Sequence, residues 1–111
     1  MINNWYLYII ENKLEHFYTG ISKDLNRRFA EHQAGGTKCA KALRGKQPLK
    51  IVFCCQLDNH SSALKMEIWV KKLSRNNKKL LISSTLVYDL SHEILLPEHY
   101  KNDQTPALKA Q

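Results

Sequence analysis

Two short runs of aromatic and β-branched residues near the amino end, 5–10 (Trp-Tyr-Leu-Tyr-Ile-Ile) and 17–21 (Phe-Tyr-Thr-Gly-Ile), constrain the fold of this 111-residue chain more than any other feature. Neither run has the polar face of an amphipathic helix, so both read as strands. The residues between them are mostly polar and include Asn12, which suits a hairpin loop, so the runs are expected to pair antiparallel. Ser22 can then cap a helix that continues to about residue 34 and stops at Gly35 and Gly36. Residues 35–48 form a loop rich in Gly, Lys and Arg, with at most one helical turn over 38–43. The unbroken apolar run Ile51, Val52, Phe53, Cys54 and Cys55 within residues 49–57 is the pattern of a buried central strand. Ser61 or Ser62 can cap a helix over 63–74, residues 76–82 form another, and 86–96 has helical apolar spacing ended by Pro97. The order β-β-α-β-α-α predicts an α+β fold, a small three-stranded antiparallel or mixed sheet flanked by helices, with a C-terminal helical appendage.

Charge separates the chain into the same two parts, a domain over 1–82 and a tail over 83–111. The first part holds 15 basic and 6 acidic side chains, a net +9, whereas the tail is net −2. The basic residues cluster at Arg27 and Arg28; at Lys38, Lys41, Arg44, Lys46 and Lys50; and at Lys71, Lys72, Arg75, Lys78 and Lys79. Such clusters suit a polyanion such as nucleic acid, because neutralising phosphates releases counterions. Composition alone fits a solvated basic surface equally well. No apolar run reaches the roughly 18 residues needed to span a bilayer, and the amino end lacks the pattern of a secretory signal, so a soluble cytoplasmic monomer without a membrane partner is expected. Cys39, Cys54 and Cys55 are an odd set without CxxC spacing and read as reduced and structural.

Three places could carry chemistry. Alternation puts Tyr6, Tyr8 and Ile10 on one face of the first strand, and a register that sets Tyr8 opposite Tyr18 would set Tyr6 opposite Gly20, leaving two phenols beside a position without a side chain. Ordinary half-buried tyrosines would give the same spacing. On the first helix, at about 100° per residue, Arg28 and His32 flank the arc of Leu25 and Phe29 while Arg27 and Glu31 turn away; a guanidinium so placed can also snorkel to water. On the next helix, Glu67 falls between an apolar stripe of Ala63, Met66, Val70 and Leu73 and a second of Leu64 and Ile68. A carboxylate there needs a partner, either a salt bridge to Arg28 or a lysine, or a hard cation. The five histidines lack zinc-ligand spacing, and there is no P-loop, GxGxxG or GxSxG.

Taken in order, Tyr6-Leu7-Tyr8, Tyr18-Thr19-Gly20 and Asp24-Leu25-x-x-Arg28-x-x-x-His32 resemble the GIY-YIG nuclease domain, most closely its small single-domain, YhbQ-like branch (UPF0213). Seven ordered segments carry the resemblance, at residues 5–8, 18–21, 24–28, 31–35, 40–46, 63–67 and 71–79. The first triplet reads Tyr-Leu-Tyr in place of Gly-Ile-Tyr. Ile21 stands where several members have a lysine, the nearest here being Lys23.

The resemblance implies a divalent-metal-dependent endonuclease that hydrolyses DNA phosphodiesters, in repair or processing, with one Mg²⁺ or Mn²⁺ as cofactor. By position it implies that Glu67 binds the metal, Arg28 is the catalytic arginine, and Tyr8 and Tyr18 are the paired tyrosines, with His32 one helical turn after the arginine. The lysines and arginines Lys23, Lys38, Lys41, Arg44, Lys46, Lys71, Lys72, Arg75, Lys78 and Lys79 are then expected to grip the backbone of DNA, branched or single-stranded forms included, with RNA not excluded. The alternative is a nucleic-acid-binding module on the same scaffold with little or no catalysis, and a third reading is a protein-interaction domain. Residues 83–111 have no counterpart in the resemblance and no assigned role.

Overall fold

A computed structural model describes residues 4–83. Strand β1 (Trp5–Glu11) lies in the middle of a three-stranded sheet of order β2-β1-β3, antiparallel to β2 (Phe17–Ser22) on one side and to β3 (Lys50–Leu57) on the other. Helix α1 (Leu25–Ala34) follows the hairpin, a short 3-10 turn (Lys41–Leu43) interrupts the long loop, and α2 (His60–Lys71) and α3 (Arg75–Ile82) complete the described elements. This is the expected α+β order, with the sheet wholly antiparallel. The helix expected over 86–96 lies outside the described residues. No described helix is long and apolar enough to cross a membrane.

The central strand is β1, not β3. Leu7, Tyr8, Ile9 and Ile10 of β1 are almost fully buried, whereas Lys50, Cys54 and Gln56 of β3 are exposed and, within that strand, only Leu57 is buried. A continuous apolar run reads the same whether a strand is flanked on both edges or on one, because side chains report the faces of a sheet and not its edges. Between Ile9 and Ile10 the pairing to β3 jumps from Phe53 to Ile51, so Val52 is the extra residue of a bulge. The cysteines are free: Cys39 is buried, Cys55 intermediate and Cys54 exposed.

Hairpin register also differs from expectation. Tyr8 pairs with Gly20, Ile10 with Tyr18 and Tyr6 with Ser22, two residues away from the register that set the tyrosines opposite each other. The loop decides this. The Asn12 side-chain Oδ1 accepts the backbone N–H groups of Leu14 (2.8 Å) and His16 (3.1 Å), and the Asn12 N–H donates to the His16 carbonyl (3.0 Å). That Asx-type closure makes a five-residue loop and pairs Glu11 with Phe17. Because the shift is even, the tyrosines keep the face that alternation gave them.

Helix caps follow local chemistry more closely than the first available hydroxyl. α1 is capped by Asp24, whose Oδ1 accepts the Arg27 N–H at 3.1 Å, while Ser22 Oγ accepts the Asp24 N–H (3.0 Å) and so shapes the entry. Gly35 ends the helix in the left-handed region (φ 74°), which a side chain would strain. Asn59 takes the capping role expected of Ser61 or Ser62, its Oδ1 accepting the Ser62 N–H at 2.8 Å, and Ser74 caps α3.

Two compact units divide the chain within α2, one ending at Ala63 and the other starting at Leu64. The core of the first joins Tyr8, Ile10, Cys39, Leu43 and Leu49, with Tyr18, Leu25, Phe29, Ala40 and Ile51 packed on it. In the second unit, Met66, Trp69, Val70, Leu73 and Leu81 are buried, while Leu64 and Ile68 are 38% and 47% exposed. The second apolar stripe expected on α2 is thus solvent-facing, and Trp69 belongs to the buried one.

The Asn12 closure gives a direct test. Replacing Asn12 by Ala removes two hydrogen bonds whose donors sit near solvent, and should cost about 1–2 kcal/mol. Thermal denaturation should record a drop of several degrees in Tm; an unchanged Tm would mean that the strands set the register without the loop.

Candidate active site

The first unit brings Tyr8, Tyr18, Arg28 and His32 together. Ring centroids lie 6.5 Å apart for Tyr8 and Tyr18, 6.1 Å for Tyr8 and His32, and 5.7 Å for Tyr18 and His32, forming a triangle of three rings. Gly20 makes room for it: a Cβ there would stand 2.5 Å from Tyr8 Oη and 2.7 Å from Cζ. Tyr8 is 2% exposed and His32 fully buried, whereas Tyr18 is half-buried and the Arg28 side chain 30% exposed. The two phenols therefore differ in access.

Backbone geometry fixes the state of His32. Its Nδ1 accepts the Ala40 N–H at 3.2 Å, so the neutral ring carries its proton on Nε2, and Nε2–H donates to Tyr8 Oη at 3.1 Å. Burial, and then the charge of Arg28, lower the pKa of His32, with Glu31 opposing. His32 is thus a neutral donor to Tyr8 and not a base for it.

Arg28 is tied rather than snorkelling. Its Nη1 donates to Glu31 Oε1 (2.9 Å) and to the Lys38 carbonyl (2.7 Å). Burial opposes its charge, but the hydrogen bond to Glu31 and the electrostatic influence of Tyr8 and Glu31 outweigh it and raise its pKa. Glu31 accepts from both neighbouring arginines, with Arg27 Nη1 on Oε2 at 2.7 Å. The hydrogen bond from Arg28 is the main reason that its carboxyl titrates below the ordinary value.

The contributions of Glu31 and of the loop backbone are absent from the sequence reading. Glu31 was legible in principle, since it lies three residues from Arg28 and four from Arg27, the spacings at which helical side chains meet. The Lys38 carbonyl and Ala40 N–H carry no side-chain signature. The loop is held in place by Gln47, which donates to the His32 carbonyl (2.8 Å), and by Gln33, which accepts the Leu49 N–H (2.9 Å). Arg44, expected on phosphate, donates to the Thr37 and Cys39 carbonyls (3.1 and 3.3 Å) and so braces this loop. Lys23, Lys38 and Lys41 are exposed, and Lys46 is half-buried.

Glu67 belongs to the second unit. Its side chain is 17% exposed, and Oε2 lies 3.2 Å from Lys71 Nζ, the lysine salt bridge that the helix spacing allowed. Lys72, Arg75 and Lys79 are exposed on the same unit, with Lys78 half-buried. Among the described residues no three His, Cys, Asp or Glu side chains converge as a metal cluster.

Comparison with known families matches residues 4–80 to the GIY-YIG catalytic domain. The chain belongs to the GIY-YIG family. Among GIY-YIG relatives, a UPF0213 protein of Serratia proteamaculans (strain 568) is 44% identical over 98 residues, covering 88% of this chain and 91% of that protein. One from Yersinia pestis (strain Pestoides F) is 49% identical over 78 residues, covering 70% and 80%. The solution NMR structure of a UPF0213 protein from Bacillus halodurans aligns with a TM-score of 0.49 at 39% identity, over 72% of this chain and 83% of that one. A nuclease-type domain is what this membership carries.

Two outcomes follow from the geometry. Gly20→Ala must push the Tyr8 ring off His32 and should cost about 1–3 kcal/mol by overpacking, read by chemical denaturation; an unaffected variant would show that the ring is not seated there. Because the folded state holds His32 below its ordinary pKa of about 6.5, the unfolded chain binds more protons under that pH, so stability falls as the solution is acidified. Denaturation at pH 7.5 and 5.5 should show a smaller loss for His32→Gln than for the parent, by at most about 1.4 kcal/mol per pH unit; equal losses would mean the ring protonates freely in the fold.

Proposed function

We propose that this chain is a divalent-metal-dependent endonuclease that cleaves DNA phosphodiester bonds with Tyr8, Tyr18 and Arg28, supported by His32. The observation that carries the reading is the Tyr8 oxygen, which receives Nε2–H of His32 within the field of the Arg28 guanidinium. A phenol oriented by one donor and set near a cation is placed to take a proton from water. His32 acts through Tyr8 as a positioning residue, since its own Nδ1 is occupied by the Ala40 N–H. Tyr18, nearer solvent, orients the attacking water or the phosphate, and Arg28 stabilises the negative charge that grows on the phosphoryl oxygens.

Glu67 is the residue we assign to the metal. It is one partly buried carboxylate that, among the described residues, belongs to no cluster of soft or additional acidic ligands, which suits Mg²⁺ or Mn²⁺ held mainly by water and substrate phosphate more than zinc. Such an ion, when bound, supplies charge neutralisation at the leaving oxygen. Lys71 would exchange its pairing with Glu67 for a phosphate. The exposed lysines Lys23, Lys38, Lys41, Lys71, Lys72 and Lys79, with Arg75, serve as backbone contacts. A role in DNA repair and Mg²⁺ or Mn²⁺ as the ion are part of the same proposal.

Plasmid and branched-DNA nicking tests it. With Mg²⁺ or Mn²⁺ the parent should nick, EDTA should stop it, and Glu67→Ala and Arg28→Ala should each lower the rate by roughly 10²-fold or more. Equal nicking by both variants would assign the activity to a contaminant. Salt-sensitive binding without nicking would leave a binding module in place of the enzyme.

A further inference from the structure

Beside the ring triangle, at the rim where β1 starts and β2 ends, lies a groove of about 400 Å³ whose lining includes Trp5, Ile21, Lys23, Arg27, Arg28 and Glu31. All of it belongs to the first unit. Its chemistry is divided. Trp5 and Ile21 sit on the strand face opposite Tyr8 and offer an aromatic and an aliphatic surface, while Lys23 and the two arginines offer three cations against the single carboxylate of Glu31. An apolar ring next to clustered cations is the pairing that a nucleotide needs, a face to stack its base and charges for its phosphates.

Trp5 itself is unusual for a strand residue. His60 packs tilted against its indole, with centroids 4.4 Å apart and ring planes at 36°. Its Nε1 is buried and, among the described residues, has no hydrogen-bond partner. A tryptophan serving only as packing material would normally find a partner for that N–H, and Phe or Leu would fill the place without the unsatisfied donor. What tryptophan adds over them is a large π-face. The guanidinium of Arg28 connects the groove to the site, since it lines the one and its charge acts on Tyr8 and His32 in the other.

We propose that this groove holds an unpaired nucleotide adjacent to the phosphate on Arg28, its base on Trp5 and its flanking phosphates on Lys23 and Arg27. The inference rests on the nuclease reading and narrows it: a base inside a duplex is stacked on its neighbours and cannot reach Trp5, so single-stranded or frayed DNA is the favoured substrate. A phosphate entering here draws Arg27 away from Glu31, which keeps Arg28 as its partner.

The test is binding, measured in EDTA by fluorescence anisotropy with a labelled single-stranded oligodeoxynucleotide and its blunt duplex. Trp5→Leu should weaken single-strand binding about 5- to 100-fold and change duplex binding less than twofold. Trp5→Phe, which keeps a smaller ring and the strand packing, should fall between Trp5→Leu and the parent. Lys23→Gln with Arg27→Gln should lower the slope of log affinity against log salt by roughly one to two. Equal weakening of both DNA forms by Trp5→Leu and Trp5→Phe, or no weakening of either, overturns the groove assignment. Arg28-dependent nicking with Trp5-independent binding would sink this inference and leave the nuclease reading standing. Trp5-dependent single-strand preference without nicking would do the reverse.

Discussion

The hydrogen bond from the Ala40 N–H to His32 Nδ1 is the constraint on which the site depends. It fixes where the imidazole proton sits, that proton fixes the Tyr8 oxygen, and the Tyr8 oxygen lies in the field of Arg28. None of these groups could be set independently in a buried place, because a donor facing a donor there would be costly. The chain of bonds runs from backbone to ring to phenol, and its first donor is one that no substitution short of proline removes.

The arrangement sorts the chemistry of the site by access. Tyr8 and His32 are closed off, and Tyr18 and Arg28 stand at the opening. Glu31 adds a second sorting, since it takes one guanidinium on each oxygen and keeps two like charges close together on one helical turn. Without a shared carboxylate, Arg27 and Arg28 would repel and lose the fixed geometry that a bidentate acceptor gives.

Much of this was legible in the residues. Alternation placed Tyr8 and Tyr18 on one face, the helical wheel brought Arg28 and His32 to the flank of the core, and seven ordered segments pointed to the GIY-YIG domain. The register escaped because it is written in the Asn12 side chain's bonds to its own loop, and several loop closures share that composition. The centre of the sheet escaped because β3 is as apolar as a central strand while having a neighbour on one edge. Glu67 was correctly marked as needing a partner, and Lys71 supplies one four residues on. The loop over 35–48 was read for its charges, yet what it gives the site is main-chain atoms, for which the alphabet of side chains has no letter.

That last point bears on how such a loop can vary. Lys38 and Ala40 serve through a carbonyl and an N–H, Thr37 and Cys39 offer carbonyls to Arg44, and the side chain of Lys38 is turned to solvent. The side chains of Thr37 and Lys38 could be exchanged with the trace intact, whereas one residue added or removed would carry every one of these atoms out of reach. The loop is a ruler, held by its length rather than its spelling.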